Sequence, residues 1–347
     1  MRNLLVLALV LSLLALPGCL NPPETPGQNA TPQPNATPPA GNVSNITVII
    51  TPQENLTIIQ NYTPPPPPPE STELNYTFEP DAPLAAYFIY VGDMQNKLQG
   101  DAILIRKGDL EVLVDAGPAQ TSNRVLDFLN RRGVDDIDVL ISTNADPSHY
   151  GGIPAVMSAY RVEEYWWSGK DFGDPEYNAM GTSPSNVAGK VKTVRTIGRG
   201  FSMSLNGMTF TALNPKDPPF NNVDNDAIVL RVQDRNFSIV LLSGVEFGAQ
   251  NEMLNNQKDL LKADVMQAPH YGLGSGTSGI GNFLKTLMPG TVVVSGGPDD
   301  SALSGGSRQP FRQTMTDYGI PYYENYRNGT VRVVSDGKTY SAGYFPS

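Results

Sequence analysis

Sixteen of the chain's 31 prolines fall within its first 80 residues, six of them in the unbroken run 64–69. Each proline ring fixes φ and removes a backbone donor, so this stretch can supply neither a helix interior nor a central strand. The run itself favours an extended polyproline II spacer. Apolar residues are too sparse here to offset the ordering entropy, so residues 20–82 are expected to be a disordered stalk and residues 83–347 the folded domain. Asn29, Asn35, Asn42, Asn45, Asn55, Asn61 and Asn75 each begin an Asn-X-Ser/Thr sequon, a density that points to a glycosylated spacer. Two further sequons begin at Asn236 and Asn328 in the folded part.

The segment before the stalk reads as an export signal. Arg2 supplies positive charge, and Leu4 to Leu16 is an almost purely apolar run, too short to span a bilayer. It ends at Leu16-Pro17-Gly18-Cys19, where Cys19 is the chain's one cysteine. This resembles a lipobox, which implies that residues 1–19 are a signal peptide with Cys19 lipidated after cleavage. An uncleaved anchor with an incidental cysteine is the alternative, and either reading expects the extracellular face of the cell membrane. A lipobox followed by a Pro/Thr/Asn stalk is similar to the surface lipoproteins of archaea. A single cysteine permits no intramolecular disulfide, so the fold must rest on its core. The net charge is −10, and from Asp81 onward 23 Lys and Arg stand against 29 Asp and Glu. Such an acidic surface repels phosphate backbones at long range and disfavours sequence-independent nucleic-acid binding.

From Pro83 the pattern changes to alternating strands and amphipathic helices. Tyr87–Val91, Ala102–Ile105 and Glu111–Val114 read as strands, and Val125, Phe128 and Leu129 mark a helix that stops at Gly133. The buried strand Val139–Ser142 and the helix Ile153–Tyr160 follow. Met208–Ala212, Ala227–Gln233 and Phe237–Leu242 form a second β group, with helices around Met253 and Leu284, the strand Thr291–Val294, a helix around Phe311 and a closing hairpin at Ser335-Asp336-Gly337. Strands and helices thus recur in two similar halves, as expected for two face-to-face sheets with helices outside.

Several motifs carry a closer resemblance. Phe88–Gly92, Gln99–Ile105 and Val112–Pro118 are followed by Asp138–Thr143 and the loop Asn144–Gly152. Asp224–Leu230, Leu241–Gly244 and Ala263–Gly272 continue the series in order. Together they resemble the metallo-β-lactamase superfamily, and within it the extracellular β-lactamase-like domain of ComEC-type competence proteins. The resemblance implies an α/β fold, a four-layer αββα sandwich, over residues 86–345.

It also implies where a metal-dependent hydrolase would keep its ligands. The family motif His-X-(His/Asp)-X-Asp-His falls on Asn144, Asp146, Ser148 and His149. The bridging Asp falls on Val245, and a late His-His pair on His270 and Tyr271. An amide is a poor zinc ligand and valine is none, so a dinuclear centre is not expected. The surviving ligand types are Asp146, His149 and His270. They would form at most a weak mononuclear site for zinc, iron or manganese, and no cofactor is expected. Asp115 matches an acidic position that implies a hydrogen-bonded support for the metal loop.

Two functional classes remain open. One is a non-catalytic pseudo-hydrolase acting as a binding or scaffold module, its membrane partner reached through the lipid anchor and its ligand unidentified. The other is a phosphodiesterase, nuclease or ester hydrolase working with a reduced mononuclear site, nucleic acid entering only by family analogy. The anchor is directly testable. Cys19→Ser should release the protein into the medium or leave an uncleaved precursor in cell fractionation. A variant processed and retained as before overturns the lipoprotein reading.

Overall fold

The computed structural model describes residues 74–183, 191–277, 279–298 and 307–346, together with the two-residue strands Thr47–Val48 (β1) and Ile58–Ile59 (β2). Two units are distinguished, Met1–Pro65 and Pro66–Ser347. In the first, β1 and β2 pair antiparallel, with Thr47 opposite Ile59 and Val48 opposite Ile58. Cys19 and the sequon residues Asn29, Asn35, Asn42, Asn45, Asn55 and Asn61 lie outside the described residues. Asn75, Asn236 and Asn328 are all exposed.

Two sheets build the second unit. One contains Leu84–Phe88 (β3), Ile103–Lys107 (β4), Leu110–Val114 (β5), Ile137–Ile141 (β6), Val162–Trp167 (β7) and Val191–Thr196 (β8), with Val331–Ser335 (β16) and Tyr340–Tyr344 (β17) at its other edge. Its eight strands run in the order β17-β16-β3-β4-β5-β6-β7-β8. The other contains Ser202–Leu205 (β9), Met208–Asn214 (β10), Val229–Asp234 (β11), Phe237–Leu241 (β12), Val265–Gln267 (β13), Thr291–Val294 (β14) and Tyr322–Glu324 (β15), in the order β15-β14-β13-β12-β11-β10-β9. In each sheet one half is antiparallel, joined mainly by short turns, and the other is parallel from β5 to β8 or from β12 to β15.

Parallel neighbours require crossovers, and helices supply them. Ser122–Arg131, Ile153–Ala159 and Pro175–Thr182 follow β5, β6 and β7; Phe247–Asn256, Ile280–Leu287 and Gln309–Asp317 follow β12, β13 and β14. One apolar layer lies between the sheets, where Phe88, Ile105 and Val139 meet Phe210, Leu230 and Ile239. A second joins the eight-stranded sheet to its helices through Leu113, Leu140, Phe128 and Met157. A third joins Val240, Met266 and Val292 to Met253, Phe283 and Phe311. This is the four-layer αββα sandwich.

The inner parallel strands are covered on both faces, and β6 (Ile-Asp-Val-Leu-Ile) is buried at every position. The same double burial holds in β7, where Trp166 and Trp167 are both buried. Trp166 faces the inter-sheet core against Phe210, and Trp167 faces the outer layer against Tyr177. The domain also begins earlier than residue 83. Leu74 and Tyr76 pack on the inter-sheet core, and Asn206 joins this segment to β9 by accepting from Glu79 N through its Oδ1 at 2.6 Å.

One ion pair crosses between the sheets. Lys107 Nζ at the end of β4 lies 2.8 Å from Asp234 Oδ1 at the end of β11, both fully buried. Arg235 also contacts Asp234, at 3.3 Å. Removing one member of a buried pair strands the other charge, whereas replacing both with apolar residues need not be costly. Lys107→Met should therefore lose about 3 kcal/mol in urea denaturation. The double variant Lys107→Met/Asp234→Leu should recover much of that, and equal losses in the two would refute the coupling.

Candidate functional site

In open α/β sheets, the carboxyl ends of parallel strands leave a crevice where loops converge. Here Asp115 follows β5, the segment Ser142–Tyr150 follows β6, Ser243–Glu246 follows β12, His270–Gly272 follows β13 and Ser295 follows β14. Asp224 reaches the same place from the loop before β11. The resulting cavity measures about 340 Å3, and its lining includes Gln99, Asp146, Ser148, His149, Asp224 and His270.

The Asp115 carboxylate is buried, so its oxygens must find donors inside the protein. Oδ1 accepts from Thr143 N at 2.8 Å, and Oδ2 accepts from the Thr143 hydroxyl. His149 Nδ1 lies 2.9 Å from the same Oδ2, and Thr143 Oγ1 lies 2.6 Å from Ser243 Oγ on the other sheet. Asp115 thus provides the loop support that the sequence implied. Burial alone would lower the His149 pKa. The carboxylates of Asp115, Asp101 and Asp146 outweigh it and push the imidazole up to about 9. Asp101 is also buried, 3.7 Å from His149 Nδ1. Desolvation raises its pKa.

The loop after β6 is held by its own side chains. Asp146, exposed, caps the one-turn helix Pro147–Tyr150 by accepting from Ser148 N at 2.8 Å. Asn144, buried, accepts from Asp146 N at 3.0 Å and donates through Nδ2 to Asp224 Oδ1 at 3.2 Å. Ser148 Oγ contacts Asp146 Oδ1 and lies 2.6 Å from the Tyr271 hydroxyl. The Tyr271 ring stacks on His149 with centroids 5.4 Å apart. Tyr150 turns away from this pocket and donates to Asp174 at 2.6 Å.

His270 and Tyr271 both adopt left-handed backbone, with φ of 46° and 59°. Such conformations persist where surroundings over-determine them. His270 N donates to Ser243 O at 2.7 Å, and the fully buried Arg308 donates through Nε to Tyr271 O at 2.6 Å. Arg308 also donates to Gly297 O at 2.8 Å and Gln99 Oε1 at 2.9 Å. The turn Ser295-Gly296-Gly297 is therefore an approach site. A Cβ on Gly297 would sit 1.8 Å from Leu98 O.

Among the described residues, Asp146, His149 and His270 do not form a three-ligand cluster. His270 instead gathers with Asp224 and Glu246, their ligand atoms all within 4.8 Å of one another and each side chain half-buried. Val245, where the bridging Asp was expected, is fully buried in the outer apolar layer. A dinuclear site does not fit this donor set: Asn144, Ser148, Val245 and Tyr271 offer no strong zinc ligand. A single divalent ion does fit Asp224, Glu246 and His270 chemically. The sequence reading missed Glu246, which stands one residue beyond the position it considered. It also missed Asp224 as a ligand and Arg308 as a support.

The superfamily profile described as "Metallo-beta-lactamase superfamily" matches residues 96–211. The chain carries a metallo-β-lactamase superfamily domain. It is 24% identical over 260 residues to ComE operon protein 3 of Bacillus subtilis, covering 69% of this chain and 32% of that protein. It is 23% identical over 202 residues to competence protein ComA of Neisseria gonorrhoeae, covering 57% of this chain and 26% of that protein. The chain thus spans about a third or less of the length of these relatives. The metallo-β-lactamase fold protein YhfI of Bacillus subtilis superposes with a TM-score of 0.51 at 15% identity, over 76% of this chain and all of that one, which shows the shared fold.

The His149 pair has a pH signature. Its folded pKa of about 9 lies above the ordinary value of 6.5, so its contribution to stability is full below 6.5 and is lost as pH rises through 9. His149→Ala should therefore destabilise the protein more at pH 6 than at pH 9.5 in urea denaturation. A difference independent of pH would show that His149 is neutral in the fold.

Proposed function

We propose that this chain is a cell-surface lipoprotein whose metallo-β-lactamase-fold domain is a non-catalytic binding module, a pseudo-hydrolase held off the membrane by a glycosylated stalk. The observation that carries this reading is the closed hydrogen-bond network at the metal-motif positions. Asn144 is bonded to Asp224 and Asp146, and Ser148 to Asp146 and Tyr271. Groups that would face an ion in a hydrolase face one another here. A cavity of about 340 Å3 with polar groups at its wall suits a small ligand. The exposed positions of Asn75, Asn236 and Asn328 are compatible with glycosylation. The competence proteins among the relatives raise nucleic acid as a ligand by analogy, and the acidic charge of the domain weighs against a long polyanion.

The cluster of Asp224, Glu246 and His270 favours a second reading, a hydrolase with one metal ion. An ion held there would supply Lewis acidity and a lowered pKa for bound water.

Metal analysis separates the two. The purified full chain should hold well under one equivalent of zinc, iron or manganese and show no chelator-sensitive phosphodiesterase or esterase activity. One equivalent lost in Glu246→Gln, together with an activity lost in that variant, in His270→Ala and on chelation, would replace the first reading with the second.

A further inference from the structure

The opposite end of the eight-stranded sheet carries its own concentration of carboxylates. Strands β5, β6 and β7 begin there, at Leu110, Ile137 and Val162, so this end is remote from the cleft at their carboxyl ends. Glu111, Asp136 and Asp138 each place a carboxylate oxygen within 4.8 Å of the other two. Glu111 and Asp138 are buried, at 2% and 1% exposure, and Asp136 is half-buried.

Each carboxylate is only partly engaged. Glu111 Oε1 pairs with Arg106 at 2.6 Å, Asp136 Oδ2 pairs with Arg161, and Asp138 Oδ2 accepts from Glu111 N at 2.8 Å. Asp138 Oδ1 is buried and has no hydrogen-bond partner among the described residues. A buried carboxylate oxygen without a donor is costly, and the arginines present are aimed at other oxygens. The neighbourhood is also unbalanced. Asp109, Asp135 and Glu163 join the three, giving six carboxylates that face Arg106, Arg161 and Lys192.

We propose that Glu111, Asp136 and Asp138 form a site for a hard divalent cation of the calcium class. The donors are oxygen alone, with no imidazole or thiolate to prefer zinc or copper. They come from two strands and the turn that enters one of them, so a bound ion would fasten the start of β5 to the start of β6. Calcium tolerates irregular oxygen sets and partial hydration better than magnesium does, and a site open through Asp136 can complete its shell with water. This site is independent of the cleft and of whether the cleft is catalytic.

The test uses the full chain, freed of metal by chelator and dialysis, and calcium chloride as the titrant. Isothermal titration should show one calcium equivalent, accompanied by a rise in Tm that magnesium at the same concentration does not match. Asp138→Asn and Asp136→Asn should each weaken calcium at least tenfold. The half-buried Asp136 provides the variant that preserves the fold, confirmed by an unchanged circular dichroism spectrum. Glu246→Gln in the cleft should leave calcium affinity as it was. No heat and no Tm change at millimolar calcium would overturn the proposal. So would wild-type affinity in folded Asp136→Asn, or affinity lost in Glu246→Gln instead.

Discussion

A carboxylate removed from water must be met by donors, and in this domain the Asp115 side chain organises the cleft by that requirement. It stands at the end of β5 with φ of 58°, a left-handed conformation that non-glycine residues adopt only under constraint. Its oxygens draw in Thr143 N, the Thr143 hydroxyl and His149. Thr143 in turn touches Ser243 at the end of β12. One buried charge therefore fastens the carboxyl ends of three strands from both sheets. These bonds fix the start of the loop after β6, and His149 takes part in them as a hydrogen-bonding partner.

The altered metal motif follows a consistent chemical direction. Asn144 both accepts from Asp146 N and donates to Asp224, two roles that one amide fills at once. Ser148 and Tyr271 join through their hydroxyls across the cleft. Val245 and Glu246 show how a shift of one residue changes where a side chain points. Glu246 is in extended backbone, where successive side chains point to opposite sides. Val245 enters the outer apolar layer, and Glu246 reaches Asp224 and His270. The acid is displaced along the chain and turned to a different partner set.

Much of the fold was legible because its signals are local. The helix Ser122–Arg131 carries Val125, Phe128 and Leu129 on one face, and the turns at Gly108-Asp109 and Asp336-Gly337 mark their hairpins. Strands β7, β8 and β9 carry weaker local signals. β7 (Val-Glu-Glu-Tyr-Trp-Trp) is buried on both faces, with Glu163 paired to Lys192 and Glu164 to Arg195, so it shows no alternation. β8, the edge of its sheet, is mostly polar, with only Val191 and Val194 packing on the outer layer. At the site, the supporting place of Asp115 was legible from its motif position. Arg308 was not, since its acceptors are the carbonyls of Tyr271 and Gly297 and a side-chain oxygen of Gln99, which no sequence pattern records.

Small metal-binding domains unfold without their ion because the ion supplies much of their folding free energy. A much larger apolar core stands behind the loops here. The three apolar layers continue across sheets of seven and eight strands, and Phe88, Phe210, Phe237 and Trp166 are essentially buried in the central one. The cleft loops hang from this frame by direct bonds, with Asp115 holding the first loop and Arg308 the turn at Tyr271. The cost of changing a ligand at the cleft is then local. It is the difference between one set of loop contacts and another, on the order of 1–3 kcal/mol where a buried polar group loses its partner. The core that sets the fold is unaffected by such an exchange. The shape of the pocket therefore rests on the frame and on these loop bonds. For that reason the fold alone is a weak guide to its activity, and the hydrogen-bond partners of Asn144, Ser148 and His149 are a better one.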